Sequence, residues 1–245
     1  MTARTTRPPR FYFSLRSPYN FFALADLERD HPRLLDRVQW RPFWEPDPTS
    51  EKLLARAAPG AEFPFHPMSR AKQFYILRDV RRLAAARNLE LTWPVDRKPW
   101  WEPAHLTWFL AEREGLGRAW VARAGRARWL EGRDICDPDV VRELAEEIGL
   151  DGEEVAQAPH HPLVREQGVQ ALLDVHRDGV FGVPYFINGR EPYWGLDRVT
   201  DFAASLTTPA TATATATGAG AGAGEEPPAT AAGRTTDMSH AGGCG

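Results

Sequence analysis

The chain has 245 residues, of which 42% are hydrophobic and 26% charged, and its formal net charge at pH 7 is −3. This length supports a substantial core, and the near-neutral charge argues against a nucleic-acid binder, which needs a clustered excess of Lys and Arg. No stretch approaches the roughly 18 consecutive apolar residues of a membrane-spanning helix. We therefore expect a soluble, cytoplasmic protein that binds neither nucleic acid nor membranes.

The cysteine content excludes two further classes of protein. The chain has two cysteines, Cys136 and Cys244. Two residues provide neither a disulfide framework nor a complete set of metal ligands. We predict no metal site, and we interpret Cys136 as a small residue at the end of an element.

The last 39 residues, 207–245, differ in composition from the rest of the chain. They are dominated by alternating Thr-Ala and Gly-Ala pairs and contain no aromatic residue. Such a segment has too little apolar surface to offset the entropy lost on ordering. The composition therefore predicts a low-complexity, disordered C-terminal tail.

The first third of the chain has the pattern strand, helix, strand. Residues 11–16 are mostly aromatic or apolar and predict a buried strand. Ser17-Pro18 follows directly and predicts a helix start, with Ser17 as N-cap and Pro18 at the first helical position. Residues 38–42 predict a second strand, and the Pro-rich segment 46–68 predicts a long irregular loop.

The middle of the chain is helical in pattern, and the end is not. Apolar periodicity and capping residues predict helices at 69–87 and 103–128, from Asp137, from Asp151, and up to Gly179. Residues 182–189 and 191–194 then predict a hairpin around Asn188-Gly189, followed by a closing helix over 195–206. A strand–helix–strand unit favours a parallel sheet, to which the hairpin adds an antiparallel edge. The order predicts an α/β domain with a helical insertion.

Five motifs, taken together, carry a resemblance to a known family. They are Ser17-Pro-Tyr after the first strand, Lys72 with Tyr75 and Asp79, residues 131–138, residues 179–184 and residues 193–198. The set resembles the 2-hydroxychromene-2-carboxylate isomerase and kappa-class glutathione transferase group, in the DsbA-like branch of the thioredoxin fold. The resemblance covers residues 10–206, and its last block is the most specific.

The resemblance implies a fold and a cofactor. We expect a thioredoxin-like domain formed by residues 10–68 and 179–206, a helical insertion at 69–178, and a homodimer. Glutathione would bind at the N-terminus of the first helix. Only three of the 30 basic residues are Lys, which is typical of a GC-rich genome. If the host is an actinobacterium that lacks glutathione, an equivalent thiol such as mycothiol is the alternative cofactor.

The family pattern also assigns roles to individual residues. Ser17 would donate a hydrogen bond to the cofactor sulfur, and Lys72 would meet a glutathione carboxylate. The backbone of Val183, before a cis Pro184, would pair with the tripeptide. The γ-glutamyl end would be held by Gly195, Leu196 and Asp197. The substrate would meet Tyr19, Asn20 and Trp44.

Elementary electrostatics agrees with a thiol site at this helix start. A helix N-terminus presents unpaired N–H groups and about half a positive charge, which favours a thiolate over a thiol. The residues alone are also consistent with Ser17 as a simple cap, Lys72 as a solvated side chain, and Asp197 as an acid that complements its own helix.

The same four residues argue against dithiol chemistry. Disulfide oxidoreductases of this fold use Cys-Pro-x-Cys, in which the second thiol resolves a mixed disulfide. This chain has Ser17-Pro-Tyr-Asn20 at that place. We therefore predict that it is not a dithiol–disulfide oxidoreductase.

The resemblance implies an isomerase that acts by reversible addition of the cofactor thiolate to a conjugated or aromatic carboxylic substrate. A kappa-like transferase that releases a thiol conjugate would use the same site and is the first alternative. A non-catalytic thioredoxin-fold binding protein is the second. Segment 43–68 departs from the family pattern, since it lacks a clear equivalent of an Asn that precedes a Pro-Pro pair.

Overall fold

A four-stranded mixed sheet lies at the centre of the computed structural model, which describes residues 7–60, 64 and 68–207. The strands are β1 (Arg10–Phe13), β2 (Gln39–Pro42), β3 (Tyr185–Asn188) and β4 (Glu191–Trp194), in the order β2-β1-β3-β4. Strand β1 pairs in parallel with β2 and antiparallel with β3, and β3 and β4 form an antiparallel hairpin. The predicted parallel pair and the predicted hairpin are both confirmed.

Helices surround this sheet and fill the middle of the chain. They are α1 (Pro18–Asp30), α2 (Pro48–Ala57), α3 (Arg70–Ala85), α4 (Glu102–Arg113), α5 (Gly117–Trp129), α6 (Pro138–Glu146), α7 (Gly152–Gln157), α8 (Pro162–Arg177) and α9 (Val199–Thr207). Helices α3–α8 lie in sequence between α2 and β3. Among the described residues, no helix is long and apolar enough to cross a membrane.

Local capping signals explain where most helices begin. Each of four side chains accepts a hydrogen bond from a backbone N–H of the first turn, as predicted: Ser17, Ser69, Asp137 and Asp151. Such caps satisfy N–H groups that have no partner inside the helix. The C-terminal prediction also holds, since α8 ends at Arg177 and Gly179 follows with a φ of 66°.

The predicted loop over 46–68 is wrong, because α2 lies within it. The Asp47 side chain accepts hydrogen bonds from the N–H groups of Thr49 and Ser50, and Pro48 occupies the first turn, where its missing N–H costs nothing. The prolines of this segment therefore mark the ends of a helix instead of excluding one. The rest of the predicted loop lies partly outside the described residues, at 61–63 and 65–67.

Two smaller corrections concern the insertion and the tail. The continuous helix predicted for 103–128 is two helices, because Gly115 turns the chain with a φ of 72° between α4 and α5. The apolar residues of α3 do not all face the core, since Leu77 is exposed while Ile76, Val80 and Ala84 are buried. The predicted disordered tail lies outside the described residues from 208 onward, and Thr207 belongs to α9.

Aromatic side chains fill both faces of the sheet. Because successive strand residues point to opposite faces, Phe11 and Phe13 pack into one cluster and Tyr12 into another. The ring of Phe186 stacks on Phe11 and on Phe202 of α9, with centroids 4.7 Å apart in each pair. Most of the tryptophans in the described residues serve the core, including the fully buried Trp44, Trp120 and Trp129.

Candidate functional site

The site begins at the loop between β1 and α1. Ser17 is only 1% exposed, its backbone is extended, and its Oγ accepts a hydrogen bond from the Asn20 N–H at 3.3 Å. The Ser17 N–H donates to the carbonyl oxygen of Ser14 at 3.2 Å. Ser17 is therefore a helix cap whose hydroxyl hydrogen remains available to an acceptor at the N-terminus of α1.

The cis Val183–Pro184 peptide lies beside this loop. The bond is cis, as expected. Strands β1 and β3 pair Tyr12 with Tyr185, and extending this register by two residues places Val183 opposite Ser14. Within the described part of the chain, the backbone N–H and C=O of Val183 have no hydrogen-bond partner. An extended ligand backbone would find both groups free.

A hydrogen bond joins the cis-proline loop to residues 195–197. The Gly195 N–H donates to the carbonyl oxygen of Pro184 at 2.9 Å. Leu196 packs against the cluster that contains Tyr19 and Phe22 of α1. The structure thus brings together the predicted residues of three separate segments: the start of α1, the cis-proline and the Gly195 turn.

Asp197 stands at the exposed edge of this assembly. Its side chain is 72% exposed, and its nearest cation is the Arg198 Nη2 at 3.8 Å. Its Oδ1 lies 2.7 Å from the position that a Cβ on Gly195 would take. The carboxylate is therefore accessible to a ligand cation and folds over a residue that must be glycine.

Helix α3 carries Lys72 on the face that packs on α1. The Tyr19 hydroxyl of α1 donates to Asp79 Oδ2 at 2.8 Å, and Ile76 packs in the same cluster. Lys72 precedes Asp79 by two helical turns, about 10 Å, and so lies on the same stripe. Lys72 is half-buried, and its ammonium group has no ion-pair partner among the described residues. Tyr19 is thus engaged in packing, whereas Lys72 retains a free charge.

Trp44 is placed apart from the other predicted substrate residues. Its ring is 2% exposed and stacks on the ring of His105, with centroids 5.4 Å apart. The Trp44 ring also lies against Gly168 of α8, where a Cβ would come within 3.2 Å of it. Trp44 is therefore a residue of the hydrophobic core, whereas Asn20 lines a cavity next to Ser17.

His105 of α4 is a site residue that the sequence analysis missed. Its Nδ1 lies 2.8 Å from the Trp101 carbonyl oxygen and therefore carries the proton. Its Nε2 is left to accept the Leu15 N–H at 3.1 Å, with Ser14 Oγ at 3.5 Å. Burial lowers the pKa of this imidazole to about 3, so it is neutral at pH 7. The insertion thereby holds the loop that precedes Ser17.

A sequence signal for His105 existed but was ambiguous. The residue interrupts the apolar run of α4 at a position that faces the core, and a buried imidazole needs partners for both nitrogens. One partner is a turn away in the same helix, and the other lies 90 residues earlier in the chain. Only the folded structure shows which loop it supports.

Cys136 occupies an inert position, as interpreted from the sequence. It precedes α6, its N–H donates to Asp134 Oδ1 at 3.0 Å, and burial raises the pKa of its thiol to about 12. Its sulfur lies close to the carboxylates of Asp96 and Asp134. Asp96 is engaged by the Arg128 guanidinium through two hydrogen bonds, so this cluster is an ion-paired one.

Comparison with known proteins identifies the family. Residues 10–207 match the model of the DSBA-like thioredoxin domain. The chain belongs to this DsbA-like thioredoxin family. It has the family's fold, with the mixed sheet, the helix that follows β1, and helices in excess of strands.

Relatives within the DsbA-like family include an isomerase. The chain is 27% identical over 201 residues to a 2-hydroxychromene-2-carboxylate isomerase from Sphingobium xenophagum, covering 82% of this chain and 97% of the relative. A solved 2-hydroxychromene-2-carboxylate isomerase superposes with a TM-score of 0.60 at 20% identity, covering 81% of this chain and 93% of that one. A probable DsbA oxidoreductase from Streptomyces coelicolor superposes with a TM-score of 0.61 at 21% identity, with coverages of 81% and 88%.

Neither the N-cap nor the first turn of α1 carries a cysteine. Ser17 and Asn20 stand where a dithiol enzyme has its two cysteines, and Cys136 is the only cysteine in the described part of the chain. The same end of the fold offers the free Val183 backbone, an unpaired ammonium at Lys72 and an exposed carboxylate at Asp197. These groups suit a peptide-like ligand that carries both carboxylate and ammonium groups.

Proposed function

We propose that this protein is a glutathione-dependent isomerase of a conjugated or aromatic carboxylic acid. The observation that carries the proposal is the convergence of Ser17, the cis-proline loop and the Gly195 turn at the N-terminus of α1. The sequence relationship to an isomerase over nearly the whole relative supports the same class of reaction.

The free groups of the site match the groups of glutathione. The Val183 N–H and C=O would pair with the tripeptide backbone, Lys72 would meet a carboxylate, and Asp197 would meet the γ-glutamyl ammonium. When bound, glutathione supplies a thiolate that can add to a conjugated double bond and leave again, so that the bond can rotate. Mycothiol lacks a tripeptide backbone, so the Val183 position favours glutathione.

The chain's own residues prepare the site for an anion. Ser17 Oγ already accepts the Asn20 N–H, so its hydroxyl hydrogen is directed to another acceptor, the sulfur. The partial positive charge of the α1 N-terminus lowers the pKa of a thiol placed there. The described residues place no cysteine at the start of α1, where one would be needed to resolve a mixed disulfide. We therefore propose thiolate catalysis and not dithiol exchange.

A calorimetric titration with glutathione tests the thiol site. We expect saturable binding to the wild type, at least tenfold weaker binding to Asp197→Ala, and unchanged binding to the control Asp201→Ala. Asp201 is a matched control because it is also an exposed acid paired with Arg198. Ser17→Ala should retain most of the affinity for glutathione but raise the pKa of the bound thiol. The absorbance of the thiolate, recorded as a function of pH, measures this pKa.

Activity is then assayed by the ultraviolet spectrum of 2-hydroxychromene-2-carboxylate, the substrate named for the relative. Isomerisation that requires catalytic glutathione supports the proposal. Stoichiometric consumption of glutathione would indicate a transferase instead. Binding of neither glutathione nor mycothiol to the wild type would overturn the thiol-dependent function and leave the non-catalytic alternative.

A further inference from the structure

Asn20 has a buried amide group without a partner. The residue is 2% exposed, and neither its Oδ1 nor its Nδ2 makes a hydrogen bond. Together with Ser17, it lines a small cavity of about 10 Å³, walled on the other side by Val121, Gly125 and Trp129 of α5. That volume holds about one water molecule. Because burying an unpaired amide is costly, this cavity suits a polar atom that pairs with the amide, either a water oxygen or a ligand oxygen.

A second, larger space lies next to this cavity, between α1 and α5. This α1–α5 cleft has a volume of about 210 Å³. Phe21, Leu24 and Val121 line both spaces, so these three side chains form the wall that the cavity and the cleft share. Apart from three charged residues, the cleft is lined by apolar side chains, with Trp40 and Leu130 among them. Its shape and composition suit a flat, apolar group.

The polar residues of the cleft are Glu28, Arg118 and Arg126. The Arg118 guanidinium is engaged by Asp36 at 2.6 Å. Arg126 is exposed, and its guanidinium has no ion-pair or hydrogen-bond partner among the described residues. A guanidinium without a protein partner at the edge of the cleft is free to form paired hydrogen bonds with a carboxylate.

We propose that the α1–α5 cleft binds the conjugated acid substrate, with its carboxylate on Arg126 and its carbonyl oxygen on the amide of Asn20. This assignment rests on the proposed function, since the reacting double bond must lie next to Ser17. When a nucleophile adds to a conjugated carbonyl compound, negative charge develops on the carbonyl oxygen. A fixed N–H donor at that oxygen stabilises the transition state more than the ground state. Asn20 Nδ2 provides such a donor.

Phe21 lies between the cleft and the cavity and lines both. Its ring lies against α5 at Gly125, where an added Cβ would stand 3.2 Å from Phe21 Cδ2. Glycine at this position therefore lets the Phe21 ring pack directly against the backbone of α5. Gly125→Ala should push the ring into the cleft and narrow it, and Phe21→Leu should widen the cleft without removing a polar group.

Binding of benzylidenepyruvate without any thiol present tests the cleft. This probe carries an aromatic ring, a conjugated carbonyl and a carboxylate. By calorimetry, we expect Arg126→Gln and Gly125→Ala each to weaken its binding at least tenfold, and the control Arg81→Gln to leave it unchanged. Arg81 is also an exposed arginine without an ion-pair partner among the described residues. Asn20→Leu should shift the carbonyl carbon resonance of the bound, ¹³C-labelled probe, even where its affinity is retained.

The outcomes separate this inference from the proposed function. If the probe binds equally to the wild type and to Arg126→Gln, or does not bind at all, the cleft is not its site, whatever the glutathione titration shows. If the probe needs Arg126 but glutathione does not bind, the cleft assignment stands and the thiol-dependent reaction fails. Thermal melting of each variant checks its folding, and Arg126→Gln is expected to melt like the wild type because the side chain is exposed.

Discussion

The two ends of the candidate site are built in opposite ways. At the Ser17 end, Ser14, Leu15, Ser17 and Asn20 are buried, and the loop is held by Ser14, by the Asn20 N–H and by His105 of the insertion. At the Asp197 end, the carboxylate is largely exposed and lies 3.8 Å from its nearest cation. Because of this difference, we expect substitutions at the Ser17 end to affect folding and function together, and substitutions at the Asp197 end to affect binding alone.

The strongest test of this comparison is His105→Ala. The substitution leaves a cavity and removes the acceptor of the buried Leu15 N–H, so we expect the free energy of unfolding to fall by about 2–5 kcal/mol. Urea unfolding measures it. His176→Ala, at an exposed position near the end of α8, should change stability by less than about 0.5 kcal/mol. Equal effects of both substitutions would mean that His105 does not support the loop.

The second prediction concerns acid. The pKa of His105 is lowered from 6.5 to about 3 by burial, so between these values the unfolded chain binds a proton that the folded chain does not. The free energy of unfolding should therefore fall as the pH is lowered from about 6.5 to about 3, by up to about 1.4 kcal/mol per pH unit from this group. Denaturation series at several pH values measure the slope. In His105→Gln, the slope of the unfolding free energy against pH should be smaller by the contribution of His105. A slope equal to that of the wild type would contradict the prediction.

Local signals predicted the frame of the site, and long-range contacts completed it. Ser17 and the Asn188-Gly189 hairpin are identified by their own residues and their neighbours, so the sequence located the start of α1 and the β3–β4 pair correctly. The family resemblance located the cis-proline. Helix α2 was missed because the same prolines mark helix ends and loops. His105 was missed because its loop partner, Leu15, is distant in sequence.

The unpaired amide of Asn20 could not be predicted at all. Its residue type and its place in the first turn of α1 are visible in the sequence, and they led to its inclusion in the substrate pocket. Whether an amide there is solvated, paired or isolated depends on how closely α5 approaches α1. That approach is set by Gly125, which lies more than 100 residues further along the chain.

Gly195→Ala probes the link between the two ends and should have an intermediate effect. Gly195 has a φ of 103° and a ψ of 163°, a conformation that is essentially restricted to glycine, and a Cβ would stand 2.7 Å from Asp197 Oδ1. We expect a loss of about 1–3 kcal/mol in unfolding free energy, together with weakened glutathione binding. Gly179→Ala is the control, because its φ is 66° and the space around it is open. Gly179→Ala should lower the free energy of unfolding by less than Gly195→Ala does, and it should leave glutathione binding unchanged.

The smallest expected change in stability is that of Asp197→Asn, and it tests the exposed end directly. The side chain is 72% exposed, so the free energy of unfolding should stay within about 0.5 kcal/mol of the wild-type value. The affinity for glutathione should nevertheless fall about tenfold, or about 1.4 kcal/mol, because an amide cannot pair with the γ-glutamyl ammonium as a carboxylate does. Since this pairing is electrostatic and exposed, the wild-type affinity should also fall with added salt, whereas that of Asp197→Asn should change less. Calorimetry in low and high salt measures both effects. A variant that binds as tightly as the wild type, with the same salt dependence, would show that Asp197 complements its own helix and takes no part in the site.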